Sequence, residues 1–129
     1  MAKKKAVIVV TSVEKYPEMD RATGLWLGEA VHFYKKMKDA GFAIDFVSPR
    51  GGYTPLDPVS LQSGVLPVDW QCYADETFRE KLASTVTPGS INATDYDVIY
   101  YTGGHGVLWD YPDNRQLQEI SRAIYEAGG

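Results

Sequence analysis

Two regimes of apolar spacing divide this chain: short β-branched runs, and longer stretches whose apolar residues recur at helical intervals. The first run, residues 6–11 (AVIVVT), follows lysines and has the composition of a buried strand. Residues 12–23 form a polar loop holding Pro17. Trp26, Ala30, Phe33, Met37 and Ala40 then step by four, three, four and three, which predicts a helix over residues 23–40 with this stripe on a sheet. Gly41 stands where a helix ends. Residues 42–47 (FAIDFV) read as the second strand, broken by Ser48, Pro49, Arg50, Gly51 and Gly52.

Residues 53–74 are rich in proline and turn residues and show no sustained period, so they read as a long irregular segment. Residues 75–84 have helical composition, with Phe78 and Leu82 four apart, and Thr87, Pro88 and Gly89 end that helix. Val98, Ile99, Tyr100 and Tyr101 make a third strand, expected to be covered on both faces as in a parallel sheet. It opens into Gly103, Gly104, His105 and Gly106. A last helix is predicted over residues 114–127, capped by Asp113 or Asn114, with Leu117, Ile120, Ile124 and Ala127 as its stripe and Gly128 at its end.

This order of strands and helices predicts an α/β fold, a doubly wound, mostly parallel open sheet of flavodoxin-like type. The first strand would then lie between the second and third, with the switch point between the first and third. Residues near 12–29 and 103–112 should therefore share one crevice.

Composition narrows the function classes. The chain has 129 residues, 44% hydrophobic and 23% charged, which fits one globular domain. A net charge of −4 argues against nucleic acid as a partner, and Lys3, Lys4 and Lys5 read as solvated edge charges. No apolar run approaches the about 18 residues of a membrane span, and the N-terminus lacks a signal-peptide pattern. A single cysteine, Cys72, suits a reducing cytoplasm. The triplet Asn92-Ala93-Thr94 reads as a chance match to a glycosylation site. No phosphate-binding glycine fingerprint follows the first strand, and two isolated histidines with one cysteine make no metal-ligand cluster.

Four positions could carry chemistry. Glu29 lies off the apolar stripe near the start of its helix, beside the expected crevice. It is either a surface glutamate paired with His32 or Lys36, or an acid–base group whose pKa is raised by partial burial. Successive N–H groups at Gly103 and Gly104 make an oxyanion site. His105 either contacts a ligand or hydrogen-bonds its own loop. Cys72 has no adjacent base and no strand-to-helix elbow, so it reads as non-catalytic, and His32 reads as a surface or packed histidine.

The segments TGLWLGE (23–29), DAG (39–41), IDFVSPRGG (44–52), PLDPVSL (55–61), DYDVI (95–99) and GGHGVLWDYP (103–112) resemble the ThiJ/PfpI superfamily, which has a class I glutamine-amidotransferase-like fold. Within it they resemble the branch of heat-shock chaperones and glutathione-independent glyoxalases (glyoxalase III). The likeness covers nearly all of the chain in order and spacing. It implies a cysteine nucleophile on an elbow, within AxCHG, directly after a glycine pair matching Gly128 and Gly129. Residues 1–129 are accordingly expected to be the amino-terminal part of a single ThiJ/PfpI-type domain. Glu29 matches the glutamate that contacts the thiol, and Gly103 and Gly104 match the oxyanion turn. His105 and Asp110 match the motif as pocket residues.

By that resemblance the complete protein is expected to be a lyase of glyoxalase III type, converting methylglyoxal to lactate without glutathione, metal or other cofactor. Alternatives are an intracellular cysteine amidase or peptidase, or a holdase chaperone presenting Tyr53, Trp70 and Tyr73 to unfolded clients. The expected partners are a small aldehyde and the carboxyl-terminal segment of the domain, on the same or a separate polypeptide, with a homodimer left open. No nucleic-acid or membrane partner is expected. Because the third strand would otherwise keep an unpaired edge, the segment is expected to fold fully only with that partner.

Overall fold

A computed structural model describes residues 4–62 and 64–128. Lys3 of the basic run and Gly129 of the terminal glycine pair lie outside the described residues. Strand β1 (Lys5–Val9) is followed by helix α1 (Leu27–Asp39) and strand β2 (Ala43–Val47). Helices α2 (Pro67–Ala74) and α3 (Glu76–Ala83), strand β3 (Val98–Tyr101), a single turn α4 (Val107–Asp110) and helix α5 (Arg115–Glu126) complete the order.

The three strands are parallel in the order β2-β1-β3. Val7 of the central strand lies opposite Asp45 on one side and Ile99 on the other. This is the α/β, doubly wound, flavodoxin-like topology expected from the sequence. Alternation along β1 divides the core into two layers. Ala6, Ile8 and Val10 pack with Leu27, Ala30, Val31 and Tyr34 of α1 and with Phe78 and Leu82 of α3. Val7 and Val9 face Leu117, Ile120 and Ile124 of α5 on the opposite side. A period of two in the strand thus meets a period of 3.6 in the helices on both faces.

Four local expectations differ from the structure. Helix α1 starts at Leu27 rather than near residue 23, because residues 23–26 are extended and Leu25 bridges Leu56 in parallel. The Leu25 amide donates to the Pro55 carbonyl at 2.7 Å, and the Asp57 amide donates to the Leu25 carbonyl at 2.9 Å. These long-range bonds outcompete an extra helical turn. The buried face of α1 is Leu27, Ala30, Val31 and Tyr34, so the expected stripe is rotated about the helix axis, leaving Trp26, Phe33 and Met37 half-buried and Ala40 exposed. Ala127 beyond α5 is likewise exposed.

Strand β3 is not covered on both faces: Val98, Ile99 and Tyr100 are half-buried and Tyr101 is exposed. Among the described residues β3 pairs on one side only, with β1, so the flanking helices overhang it incompletely. Finally, residues 53–74 are more ordered than their composition implies. Pro58–Leu61 form a 3₁₀ turn capped by Asp57, and α2 begins at Pro67. The only fully buried residue of α2 is Asp69, which explains why no apolar stripe announces that helix.

Candidate active site

Both loops at the carboxyl end of β1 and β3 meet at one crevice, the switch point of the sheet. Glu29 occupies the third position of α1 and is held over the glycine turn. Its Oε1 accepts a hydrogen bond from the Gly103 amide at 3.0 Å. The Trp26 amide donates back to the Gly103 carbonyl at 3.2 Å. Glu29 is exposed, as the surface alternative expected, but it pairs with neither His32 nor Lys36: its hydrogen-bond partner is Gly103, and His32 lies 3.3 Å from Asp69.

Close approach constrains the two glycines of the turn differently, Gly103 against a flexible side chain and Gly104 against backbone. A Cβ on Gly103 would sit 2.5 Å from Glu29 Oε2, and one on Gly104 would sit 2.3 Å from the Gly24 carbonyl oxygen. Gly104 also adopts φ +128°, a region that side-chain-bearing residues avoid. Of the two amides expected to serve an oxyanion, the Gly103 N–H is already donated to Glu29. Gly104 N–H has no acceptor among the described residues.

His105 is exposed at the rim, where Nδ1 hydrogen-bonds the Tyr16 hydroxyl. Tyr16 also packs edge-on against Trp109, with ring centroids 5.5 Å apart, and Arg21 lies over its face. The loop after β1 is thus pinned onto the glycine turn by aromatic contacts.

Asp110 lies deeper and serves the backbone. Its carboxylate accepts from the Thr11 hydroxyl at 2.9 Å and from the Ser12 amide at 2.7 Å. Burial raises its pKa, opposed by the Ser12 and Thr11 hydrogen bonds and by the charge of Arg50. Beside it, the Tyr111 hydroxyl donates to the Val9 carbonyl at 3.0 Å, and burial pushes that phenol far upward.

Cys72 sits elsewhere. It lies on α2 and lines a separate cleft with Tyr34, Lys35, Lys38 and Asp75. Burial, reinforced by Asp75, pushes its thiol up to about 11, so it stays protonated and weakly nucleophilic.

Sequence reasoning missed the neighbours that frame Glu29. A cleft of about 250 Å³ is lined by Trp26, Glu29, His32, Ser60, Asp69 and Tyr100. Asp69 is buried, and its Oδ2 accepts from the Leu66 amide at 2.9 Å. The signal available was a carboxylate three residues after Leu66 with Pro67 between them, a helix-start pattern. Tyr16 and Thr11 carried no signal, since their partners lie 89 and 99 positions away. No group of three or more metal-ligating side chains occurs among the described residues. No helix there is long and apolar enough to cross a membrane.

A parallel α/β sheet with a helix-borne glutamate clamped on a glycine turn defines the class: an α/β domain with its crevice at the switch point. The relatives are more particular. The chain is 37% identical to the glutathione-independent glyoxalase HSP31 of Saccharomyces cerevisiae, matching all of this chain and 56% of that protein. It is 26% identical to glyoxalase 3 of Candida albicans, over 97% of this chain and 54% of that protein. Among solved structures, Rapid Encystment Protein 24 kDa of Francisella tularensis superposes with a TM-score of 0.90 at 32% identity, covering 98% of this chain and 56% of that one. Glyoxalase III of Candida albicans gives 0.86 at 26% identity, covering 98% and 54%. No family model matches. The chain is a homologue of the glutathione-independent glyoxalases of the ThiJ/PfpI superfamily, and it spans about half the length of the curated relatives it matches.

Proposed function

We propose that this chain supplies the proton-transfer half of a glyoxalase III-type active site, as the amino-terminal part of a domain whose nucleophile lies outside residues 1–129. The observation that carries the reading is the clamp between Glu29 and the Gly103 amide at the mouth of the β1/β3 crevice. It fixes an ionisable oxygen beside backbone donors, the combination that proton transfer next to a carbonyl requires.

In this reading a thiolate from the rest of the domain adds to the aldehyde carbon of methylglyoxal, and the carbonyl oxygen takes up a proton to give a hemithioacetal. Glu29 removes the proton from that carbon, a proton is returned to the neighbouring carbon, and the hydroxyl proton passes to the neighbouring oxygen, leaving a thioester of lactate. Water then cleaves the thioester to lactate and regenerates the thiol. Once a thiol enters the crevice, the Gly104 amide is the donor left free for substrate oxygen. His105 and Asp110 act around this centre, His105 at the rim with Tyr16 and Asp110 by anchoring the loop after β1. Cys72 takes no part. The names of the relatives support the substrate class, a small aldehyde.

The test is direct. The complete protein, given methylglyoxal without glutathione, is expected to form lactate, read by proton NMR. Absence of lactate would overturn the reading.

A further inference from the structure

A second cleft lies away from the Glu29 crevice, where the turn after β2 meets α2 and α3. It encloses about 140 Å³ and shares no lining residue with the Glu29 cleft. Leu56, Tyr73, Leu82 and Ala83 supply its apolar wall. Backbone hydrogen bonds brace that wall. The Thr54 amide donates to the Leu82 carbonyl at 2.9 Å, Gly52 and Thr85 exchange two bonds at 2.7 and 3.0 Å, and Leu56 bridges Leu25. A dry cavity of about 150 Å³ holds one benzene molecule, so this space has the size of a single six-membered ring.

Two polar groups at the cleft lack a partner. Thr54 is 3% exposed, and its hydroxyl has no hydrogen-bond partner among the described residues. Buried hydroxyls are normally paired. No bond holds this one in its present rotamer, so a turn about χ1 presents it to the cleft that Thr54 lines. One ordered water is a poor answer: it needs about two to four polar partners, and the buried lining side chains, Thr54 and Leu82, offer one hydroxyl. At the open end stands Arg79, which is exposed and makes no ion pair among the described residues.

We propose that this cleft binds a small hydroxyaryl carboxylate, with its ring against Leu56 and Leu82, its ring hydroxyl on Thr54 and its carboxylate on the Arg79 guanidinium. Ligand sites have this make-up, a mostly apolar concavity in which a few polar groups fix the orientation. A guanidinium meets a carboxylate through two parallel N–H donors. The Thr54 hydroxyl both donates and accepts, so it takes a phenol in either sense. A plain hydrocarbon would leave both groups unpaired, and an aliphatic dicarboxylate would carry a second charge to the buried end. The site takes no part in the chemistry assigned to Glu29.

The test is binding of 4-hydroxybenzoate and of benzoate to the complete protein, measured by calorimetry and ligand-observed NMR. Wild type is expected to bind both saturably, 4-hydroxybenzoate at least about three-fold tighter. Thr54→Val keeps the shape of the side chain and removes the hydroxyl, and it is expected to bind the two probes equally. Arg79→Met keeps an apolar stem and removes the charge, and it is expected to weaken both probes at least about two-fold. Thermal unfolding checks that each variant is folded. Should Thr54→Val fail to fold, the preference shown by wild type and the losses in Arg79→Met still decide the matter. No saturable binding of 4-hydroxybenzoate by wild type at low millimolar concentration would overturn the proposal. So would equal affinity of wild type for the two probes, an unchanged preference in folded Thr54→Val, or wild-type affinity in folded Arg79→Met.

Discussion

The Gly103 amide donates to Glu29 Oε1 at 3.0 Å, tying the first turn of α1 to the carboxyl end of β3 across 74 positions of sequence. This bond crosses the switch point of the sheet, where parallel α/β proteins place their ligands. Among the described residues Glu29 makes no ion pair, and its carboxylate lines a cleft with His32, Ser60 and Asp69.

Glu29→Gln keeps the shape and still offers an oxygen to Gly103, while removing the group that takes a proton. General acid–base catalysis contributes about 10²–10⁴-fold, so methylglyoxal turnover by the complete protein should fall by that order. Thermal unfolding and suppression of client aggregation should remain near wild type. Wild-type turnover in this variant would defeat the catalytic assignment of Glu29.

Gly103→Ala and Gly104→Ala separate the geometry of the site from the stability of the turn. At Gly103 the atoms nearest the added Cβ are those of the Glu29 carboxylate, the far end of a flexible side chain, so turnover should drop more than stability. At Gly104 it meets the Gly24 carbonyl at a positive φ, so Gly104→Ala should lose about 1–3 kcal/mol from strain alone. Chemical denaturation of both variants, beside their turnover, gives the comparison.

Asp110 anchors the Ser12 amide and the Thr11 hydroxyl, so Asp110→Ala should cost about 2–3 kcal/mol by leaving both donors unpaired. Asp110→Asn can accept from Ser12 and donate to Thr11, and should cost less than about 1 kcal/mol at neutral pH. Because burial raises the folded pKa of Asp110 above its unfolded value, the folded state holds the proton more readily. Its contribution to stability should therefore improve as pH falls from above the raised value toward the unfolded one near 3.8. Relative to Asp110→Asn, wild type should gain stability across that acidic window, measured by urea titration at each pH.

Cys72 should alkylate slowly. With its thiol pushed up to about 11, its thiolate fraction at neutral pH lies about 100-fold below that of an ordinary cysteine. The raised value means the folded state keeps the proton longer, so this group's contribution to stability declines as pH climbs from its unfolded value toward 11. Cys72→Ser should leave aldehyde turnover nearly unchanged. A loss beyond roughly 100-fold, about 2.7 kcal/mol of barrier, would place the nucleophile here after all.

What the sequence determined by itself is what local chemistry encodes. Ala6 to Val9 had to be a buried strand, since β-branched residues on both faces fit only a sheet covered twice. Helix α5 was legible from the Asn114 cap, whose side chain accepts from Leu117, and from the spacing of Leu117, Ile120 and Ile124. The strand order was expected from the flavodoxin-like pattern, which puts the first strand between the second and third, and the structure has it. The glycine turn and Glu29 were legible as candidates, but not as partners.

Only the tertiary structure decided that Glu29 meets Gly103 rather than Lys36, that Leu25 pairs with Leu56 instead of extending α1, and that His32 faces a buried Asp69. These outcomes share one cause. Each joins residues distant in sequence, through a bond whose strength depends on how helices seat on the sheet. Period and capping report a residue's own element; they carry no record of which distant donor or carboxylate will come into contact once the sheet is packed on both faces.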